Sequence, residues 1–293
     1  MAADIHPELR RIARFVPRRT VYPWSVPPLR RLSHLPRPPK SGVEELTLPP
    51  GIGLRLYRPT RSHQPLPALL WIHGGGYLIG SAVLEDSVCR RYCQQLGMVV
   101  AAPDYRLAPE HPYPAALEDC YRTLIWLAGL PGVDSRRIAV GGGSAGGGLA
   151  AALALLARDR GEVRPVLQLL SYPMLDDRTL DPALDDPGFR LWDTASNRFG
   201  WGSYLGGADP DSAVPGRRED LADLPPAWIG VGTLDLFHGE DLTYAARLAA
   251  AGVPCEFHEV PGAFHGFDRI APKAAVSQAY FDDSCASLRK ACA

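Results

Sequence analysis

Twenty consecutive residues, Ile138 to Ala157, carry no charge, and six glycines crowd into positions 141–148 of that run. Its length alone would suit a membrane-spanning helix. A helix in lipid does not gather glycines at its middle, because glycine is the poorest helix former after proline. The run divides instead into an apolar strand (Ile138–Val140), a glycine turn, and a helix over 145–158. A strand that turns directly into a helix belongs to an α/β architecture, and the flanking sequence repeats the alternation.

Apolar runs bounded by turn residues predict strands at Glu45–Leu48, Leu54–Tyr57, Ala68–Ile72, Met98–Ala102, Val166–Leu170, Trp228–Val231 and Cys255–Val260. Helical stretches separate them at 84–96, 115–128, 240–251 and 272–289. Runs that are continuously apolar, rather than alternating, fit a parallel sheet buried on both faces. One interval breaks the rhythm. More than fifty residues separate Tyr172 from Trp228, too many for a structureless loop in a compact domain. A helical insertion at the carboxyl edge of the sheet is expected, where α/β proteins bind ligands.

Composition excludes several classes. With 46% hydrophobic and 22% charged residues the chain has ample core material, so it is neither disordered nor a coiled coil. A net charge of −1 lacks the basic excess of a nucleic-acid binder. The charge is nonetheless uneven. Arg10, Arg11, Arg14, Arg18, Arg19, Arg30, Arg31, Arg37 and Lys40 outweigh Asp4 and Glu8 in the Pro-rich first forty residues. That segment is expected to pack on the acidic remainder as a cover, rather than bind phosphates or a membrane. Six cysteines are too sparse for a disulfide scaffold. No apolar leader follows Met1, so a cytoplasmic protein without stable membrane insertion is expected.

The strongest local signal is Gly142-Gly143-Ser144-Ala145-Gly146. It fits G-x-S-x-G in the strand–turn–helix context that a nucleophile elbow demands. A serine on so sharp a turn leaves no room for side chains two positions away, and both positions are glycine. The same stretch matches G-x-G-x-x-G, but the next strand ends Leu170-Ser171-Tyr172-Pro173 without the acid that a ribose would need. Directly after another strand comes His73-Gly74-Gly75-Gly76-Tyr77. Bare backbone N–H groups of Gly75 and Gly76, with that of Ala145, suit an oxyanion hole. His73 is expected to anchor this loop. A triad then needs an acid and a base in the order Ser, Asp/Glu, His. Asp235 and His265 follow the last two strands, on the same sheet edge as Ser144. His238 is the rival base, and Glu240 and Asp241 are rival acids; all three fall at or inside the following helix. His6, His34, His63, His111 and His258 are placed less well.

Taken together, His73–Gly76, Asp104–Ala116, Gly142–Gly147, Asp235 and His265-Gly266-Phe267 resemble the hormone-sensitive-lipase-like carboxylesterases, bacterial family IV. The resemblance runs from about residue 45 to the end. It implies an α/β-hydrolase fold: a mostly parallel eight-stranded sheet with helices on both faces and a helical cap. Residues 1–43 would supply the N-terminal part of the cap. Residues 44–293 would form the catalytic domain, with a cap insertion at about 175–225. The implied reaction is hydrolysis of short-to-medium acyl esters through an acyl-enzyme on Ser144, with Asp235 and His265 completing the triad. The substrate is a small-molecule ester, and no metal or organic cofactor is implied. The chain departs from many relatives at Gly143, where they carry Asp or Thr, and at Leu236, where they often carry Pro. Tyr77, Trp24, Trp192 and Trp201 are expected pocket linings, with Phe199 and Tyr204 as further aromatic candidates. The last strand could pair with a second copy as a homodimer. The same machinery acting on an amide, lactone or carbamate, and a ligand-binding receptor on this fold, are the alternatives.

Overall fold

The computed structural model describes residues 4–33, 35, 42–59 and 64–293. Arg37 and Lys40 of the basic segment, and His34 and His63, lie outside the described residues.

Every expected strand forms: β1 (Val43–Leu48), β2 (Ile52–Tyr57), β3 (Leu66–Ile72), β4 (Val99–Asp104), β5 (Val133–Gly143), β6 (Gln168–Ser171), β7 (Ala227–Leu234) and β8 (Cys255–Phe264). They make one sheet in the order β1-β2-β4-β3-β5-β6-β7-β8. β1 pairs β2, and β2 pairs β4, antiparallel; all the remaining neighbours are parallel. The helices are α1 (Arg10–Ala13), α2 (Val26–Ser33), α3 (Asp86–Leu96), α4 (Ala115–Ala128), α5 (Ala145–Arg160), α6 (Thr194–Leu205), α7 (Pro210–Ala213), α8 (His238–Ala250), α9 (Phe267–Ile270) and α10 (Ala275–Ala291).

The central strands are continuously apolar because both faces of the sheet are covered there. Leu70, Ile72, Val140, Leu170 and Ile229 point into one core, with residues of α4, α5 and α8. Their neighbours Leu69, Trp71, Ala139, Leu169 and Trp228 point into the other, with residues of α3 and α10. α5 is buried nearly all round over its first eleven residues, which explains why its sequence resembles a membrane span. Among the described residues no helix is long and apolar enough to cross a membrane.

The stretch between β6 and β7 is less helical than expected. It holds the twelve-residue α6 and the four-residue α7, and residues 172–180 are irregular. The acids of this region explain why. Asp181 and Asp209 each accept a backbone N–H and start only a single short turn, Asp193 caps α6 in the same way, and prolines and glycines prevent further extension. The N-terminal segment packs against this stretch. Arg190 Nε donates to Ala13 O, Leu191 N to Pro17 O, and Thr20 Oγ1 to Leu191 O, at 2.8, 2.8 and 2.9 Å. The basic residues are only partly neutralised. Arg30 clasps Glu110 at 2.8 Å, while Arg11, Arg14 and Arg31 are exposed.

Candidate active site

Three chain segments converge at the carboxyl edge of the sheet. β5 ends in the turn that carries Ser144, whose backbone is held at φ 59° and ψ −125°. A non-glycine residue rarely adopts a positive φ, and such strain gathers at functional positions. The turn is tight enough that a Cβ on Gly142 would run into the carbonyl of Gly146, and one on Gly146 into that of Ile72. Ser144 N donates to Ser171 O at 2.9 Å, and Met174 N to Ser144 O at 3.0 Å, so backbone bonds to the end of β6 and to the segment just after it hold the strained residue.

The second and third segments leave β7 and β8 side by side. The ladder pairs Leu234 with Phe264, so the residues that follow, Asp235 and His265, emerge next to each other. Gly262 N donates to Thr233 Oγ1 at 2.8 Å and ties the two segments together. His265 Nδ1 lies 2.7 Å from Asp235 Oδ2, and His265 Nε2 lies 3.0 Å from Ser144 Oγ. Asp235 Oδ1 accepts from Phe237 N at 3.0 Å, which fixes the carboxylate, and its side chain is fully buried. The network assigns the tautomer: Nδ1–H donates to the carboxylate and Nε2 accepts from the serine hydroxyl. Tyr172 and Phe237 pack roughly perpendicular to the imidazole, with ring centroids 4.9 and 5.2 Å away.

The glycine loop after β3 runs beside the elbow. A Cβ on Gly74 would stand 2.8 Å from Gly143 O and 3.3 Å from Ser144 Cβ. Gly75 and Gly76 take φ of 118° and 59°. A side chain at Gly76 would strike the ring of Trp192. His73 is an anchor, as expected. It is buried, stacks on Tyr105 at 4.1 Å, and places Nδ1 2.8 Å from Gly74 O; Tyr105 Oη donates to His73 O at 3.0 Å.

These groups open into a cavity of about 440 Å³ lined by Ser144, His265, Gly74, Gly75 and Gly76. Of the four expected linings, Trp192 alone faces it. Trp24 is 74% exposed and stacks on Tyr22 at the surface. Tyr77 and Trp201 are buried and pack on Tyr204, away from the cavity. Those three are corrected: aromatic content alone does not tell which ring packs and which lines. The cavity wall comes instead from Val21, Leu29, Leu32, Ile79, Leu191, Trp71, Tyr172, Glu85 and Arg269, which no motif singles out.

The rival groups lie outside the relay: His238 and Glu240 are engaged elsewhere, and both carboxylate oxygens of Asp241 are buried without a hydrogen-bond partner among the described residues. His238 pairs with Glu259 at 2.6 Å. Glu240 accepts from Leu175 N at 2.7 Å, from Asp176 N at 3.1 Å and from Thr179 Oγ1. Burial nonetheless pushes its carboxyl up to about 8, and burial also raises that of Asp241 well above the carboxylate range. Asp159, which lies at the right sequence distance for a ribose-binding acid, pairs with Arg158 and Arg218. A Cβ on Gly143 would meet the Tyr172 ring at an ordinary 3.4 Å, so the elbow has room for a first side-chain carbon at this position.

A family model described as the α/β-hydrolase fold matches residues 69–269. The chain belongs to the α/β-hydrolase family. It is 40% identical over 252 residues to the esterase LipI of Mycobacterium tuberculosis, covering 82% of this chain and 79% of that protein. It is 34% identical to the ethyl acetate hydrolase of Pseudomonas putida, over 74% of this chain and 71% of that one. Among solved structures, a bacterial heroin esterase superposes with a TM-score of 0.90 at 36% identity, covering 99% of this chain and 98% of that one. The expected membership in an esterase branch of this fold therefore holds.

Proposed function

We propose that this α/β-hydrolase is a serine carboxylesterase acting on short-to-medium acyl esters. The observation that carries the reading is the unbroken relay from Ser144 Oγ through His265 to Asp235, opening on one cavity beside the glycine loop. His265 Nε2 takes the Ser144 proton as Oγ attacks the ester carbonyl carbon. The tetrahedral oxyanion is held by the N–H groups of Gly75, Gly76 and Ala145. As the intermediate collapses, the carbonyl–alkoxy bond breaks and imidazolium protonates the departing alcohol, leaving an acyl-Ser144. Water then gives its proton to His265 and attacks the acyl carbon, and the acid leaves as the proton returns to Oγ. Asp235 orients the imidazole and offsets its positive charge in both halves.

The N-terminal segment and the 175–225 stretch act as the cap, and their mutual hydrogen bonds near Leu191 support that role. A cavity of about 440 Å³ supports a small or medium acyl group. The cysteines are unpaired thiols, five of them buried, which supports a cytoplasmic setting. β8 is an edge strand, but Glu256, Glu259 and Pro261 blunt it. These features weigh against pairing with a second copy through that edge.

The test is hydrolysis of p-nitrophenyl esters from acetate to palmitate, with Ser144→Ala beside the wild type. Serine-dependent turnover peaking at short or medium chains is expected, with Ser144→Ala lower by roughly 10⁴–10⁶-fold. No turnover of any ester, or full turnover by Ser144→Ala, rejects the reading.

A further inference from the structure

The substrate cavity is walled mainly by apolar side chains, yet it contains an ion pair. Arg269 reaches Glu85 with Nη1 on Oε2 at 2.5 Å and Nη2 on Oε1 at 3.0 Å, and both residues line the cavity with Ser144. Arg269 lies four residues past His265, on α9, so the pair stands close to the reacting groups. Desolvating two charges is costly, and well-packed apolar residues would stabilise such a wall as well or better. Stability therefore does not explain the pair.

An inventory of donors shows what the pair offers. The other neutral polar side chains of the wall are committed to protein acceptors. Thr20 Oγ1 donates to Leu191 O, Ser33 Oγ to Arg30 O and Ser81 Oγ to Ser33 O. Trp71 Nε1 donates to Glu85 Oε2 and Tyr172 Oη to Asp268 Oδ1, both at 2.7 Å. A guanidinium has five N–H donors. Among the described residues Arg269 engages three, two on Glu85 and one on Leu84 O at 2.8 Å. Its side chain is a third exposed, and the residue lines the cavity. Arg269 is thus the wall's source of unspent side-chain donors, and Glu85 fixes where they sit.

We propose that Arg269, held by Glu85, is a specificity determinant of this cavity. It selects esters that carry an uncharged hydrogen-bond acceptor, such as a ketone, ether or amide carbonyl, on the group lying against that wall. The inference rests on the esterase reading of the same cavity and names its substrate class. An uncharged acceptor is favoured over a carboxylate because Glu85 already neutralises the guanidinium and would face a substrate anion. A plain alkyl chain in the same place would cover the spare N–H groups and leave them without partners. Sites built to hydrogen-bond a substrate group discriminate strongly against analogues lacking it for this reason.

The test compares three p-nitrophenyl esters of similar length: hexanoate, 5-oxohexanoate and the monoester of adipic acid. Each enzyme serves as its own reference through the ratio of kcat/KM values. In the wild type, the keto ester should exceed hexanoate by about tenfold or more. In Glu85→Gln/Arg269→Met, which keeps an acceptor for the Trp71 indole, the ratio should fall to near one. Arg269→Lys keeps a charge and a donor but loses the fork, and should give an intermediate ratio; it also keeps the test decisive if the double variant does not fold. A wild-type ratio near one, or a ratio unchanged in the variants, overturns the proposal. A preference for the adipate monoester overturns the assignment of an uncharged group. Absence of Ser144-dependent turnover of acetate would reject the esterase reading itself, a separate result from a flat ratio.

Discussion

The catalytic edge of the sheet and the cover above it are built by different means. At the edge, backbone shape does the positioning. Gly142 and Gly146 allow the elbow, Gly75 and Gly76 allow the loop, and the pairing of Leu234 with Phe264 sets Asp235 beside His265. In the cover, individual side-chain bonds between distant segments do it: Arg190 to Ala13, Thr20 to Leu191, Arg18 to Asp186. A site made of backbone geometry tolerates no added atom at its tightest glycines, Gly142, Gly146, Gly75 and Gly76, whereas a cover made of single bonds adjusts when one is lost. The edge should therefore govern kcat and the cover should govern KM and chain-length preference.

The largest effect should come from the relay. Asp235→Asn would keep the shape but place an amide against Nδ1, favouring the tautomer that cannot accept the serine proton. By analogy with other triads, kcat should fall about 10⁴-fold with little change in KM. Steady-state kinetics on the acetate ester checks this, and a loss confined to KM would break the division between edge and cover.

This division also explains what the sequence made legible. Eight strands, their helices, and Ser144, Asp235, His265 and the glycine loop all follow from short-range rules: apolar runs, glycine spacing and position after a strand. The cavity wall follows from none of these. Glu85, Arg269 and Leu29 come from three separate segments, and only the folded chain brings them together. Size and aromatic character point to Trp24 and Trp201 as linings. One is in solvent and the other in the core, because a ring's destination depends on neighbours far away in sequence.

Gly76→Ala probes the seam between the two regions. The new methyl would meet the Trp192 ring, and alanine is strained at φ 59°. Displacing this loop should cost about 10²–10³-fold in kcat, the usual result of losing an oxyanion donor. Adding Trp192→Leu removes the clash but not the backbone strain, so part of the rate should return. Equal rates for the single and double variants would show that the loop does not depend on the cover's tryptophan.

Glu240 sharpens the comparison through pH. It fastens Leu175, Asp176 and Thr179, where the cover begins, to α8. Burial raises its carboxyl to about 8, so the folded chain keeps a proton that the unfolded chain releases in the ordinary carboxyl range. Stability from this group is therefore complete at low pH and declines as pH rises towards and through 8. Asp241 and Asp268, also raised by burial, act in the same direction. Tm measured from pH 5 to 8.5 should fall less steeply in Glu240→Gln than in the wild type. A parallel slope would mean that Glu240 is ionised in the folded protein.

The smallest effect should come from a single bond of the cover. Thr20→Val keeps the shape and β-branching of the side chain but loses the 2.9 Å bond to Leu191 O. A partly buried hydrogen bond contributes about 1 kcal/mol, so the urea midpoint should shift only slightly. Thr20 and Leu191 both line the cavity, so the loosened contact reaches the substrate directly. KM for hexanoate should rise a few-fold, while kcat for acetate, whose two-carbon acyl group offers the wall far less contact, should stay near the wild-type value. If acetate kcat fell as well, the cover would be acting on the relay, and the separation of shape at the edge from affinity in the cover would fail.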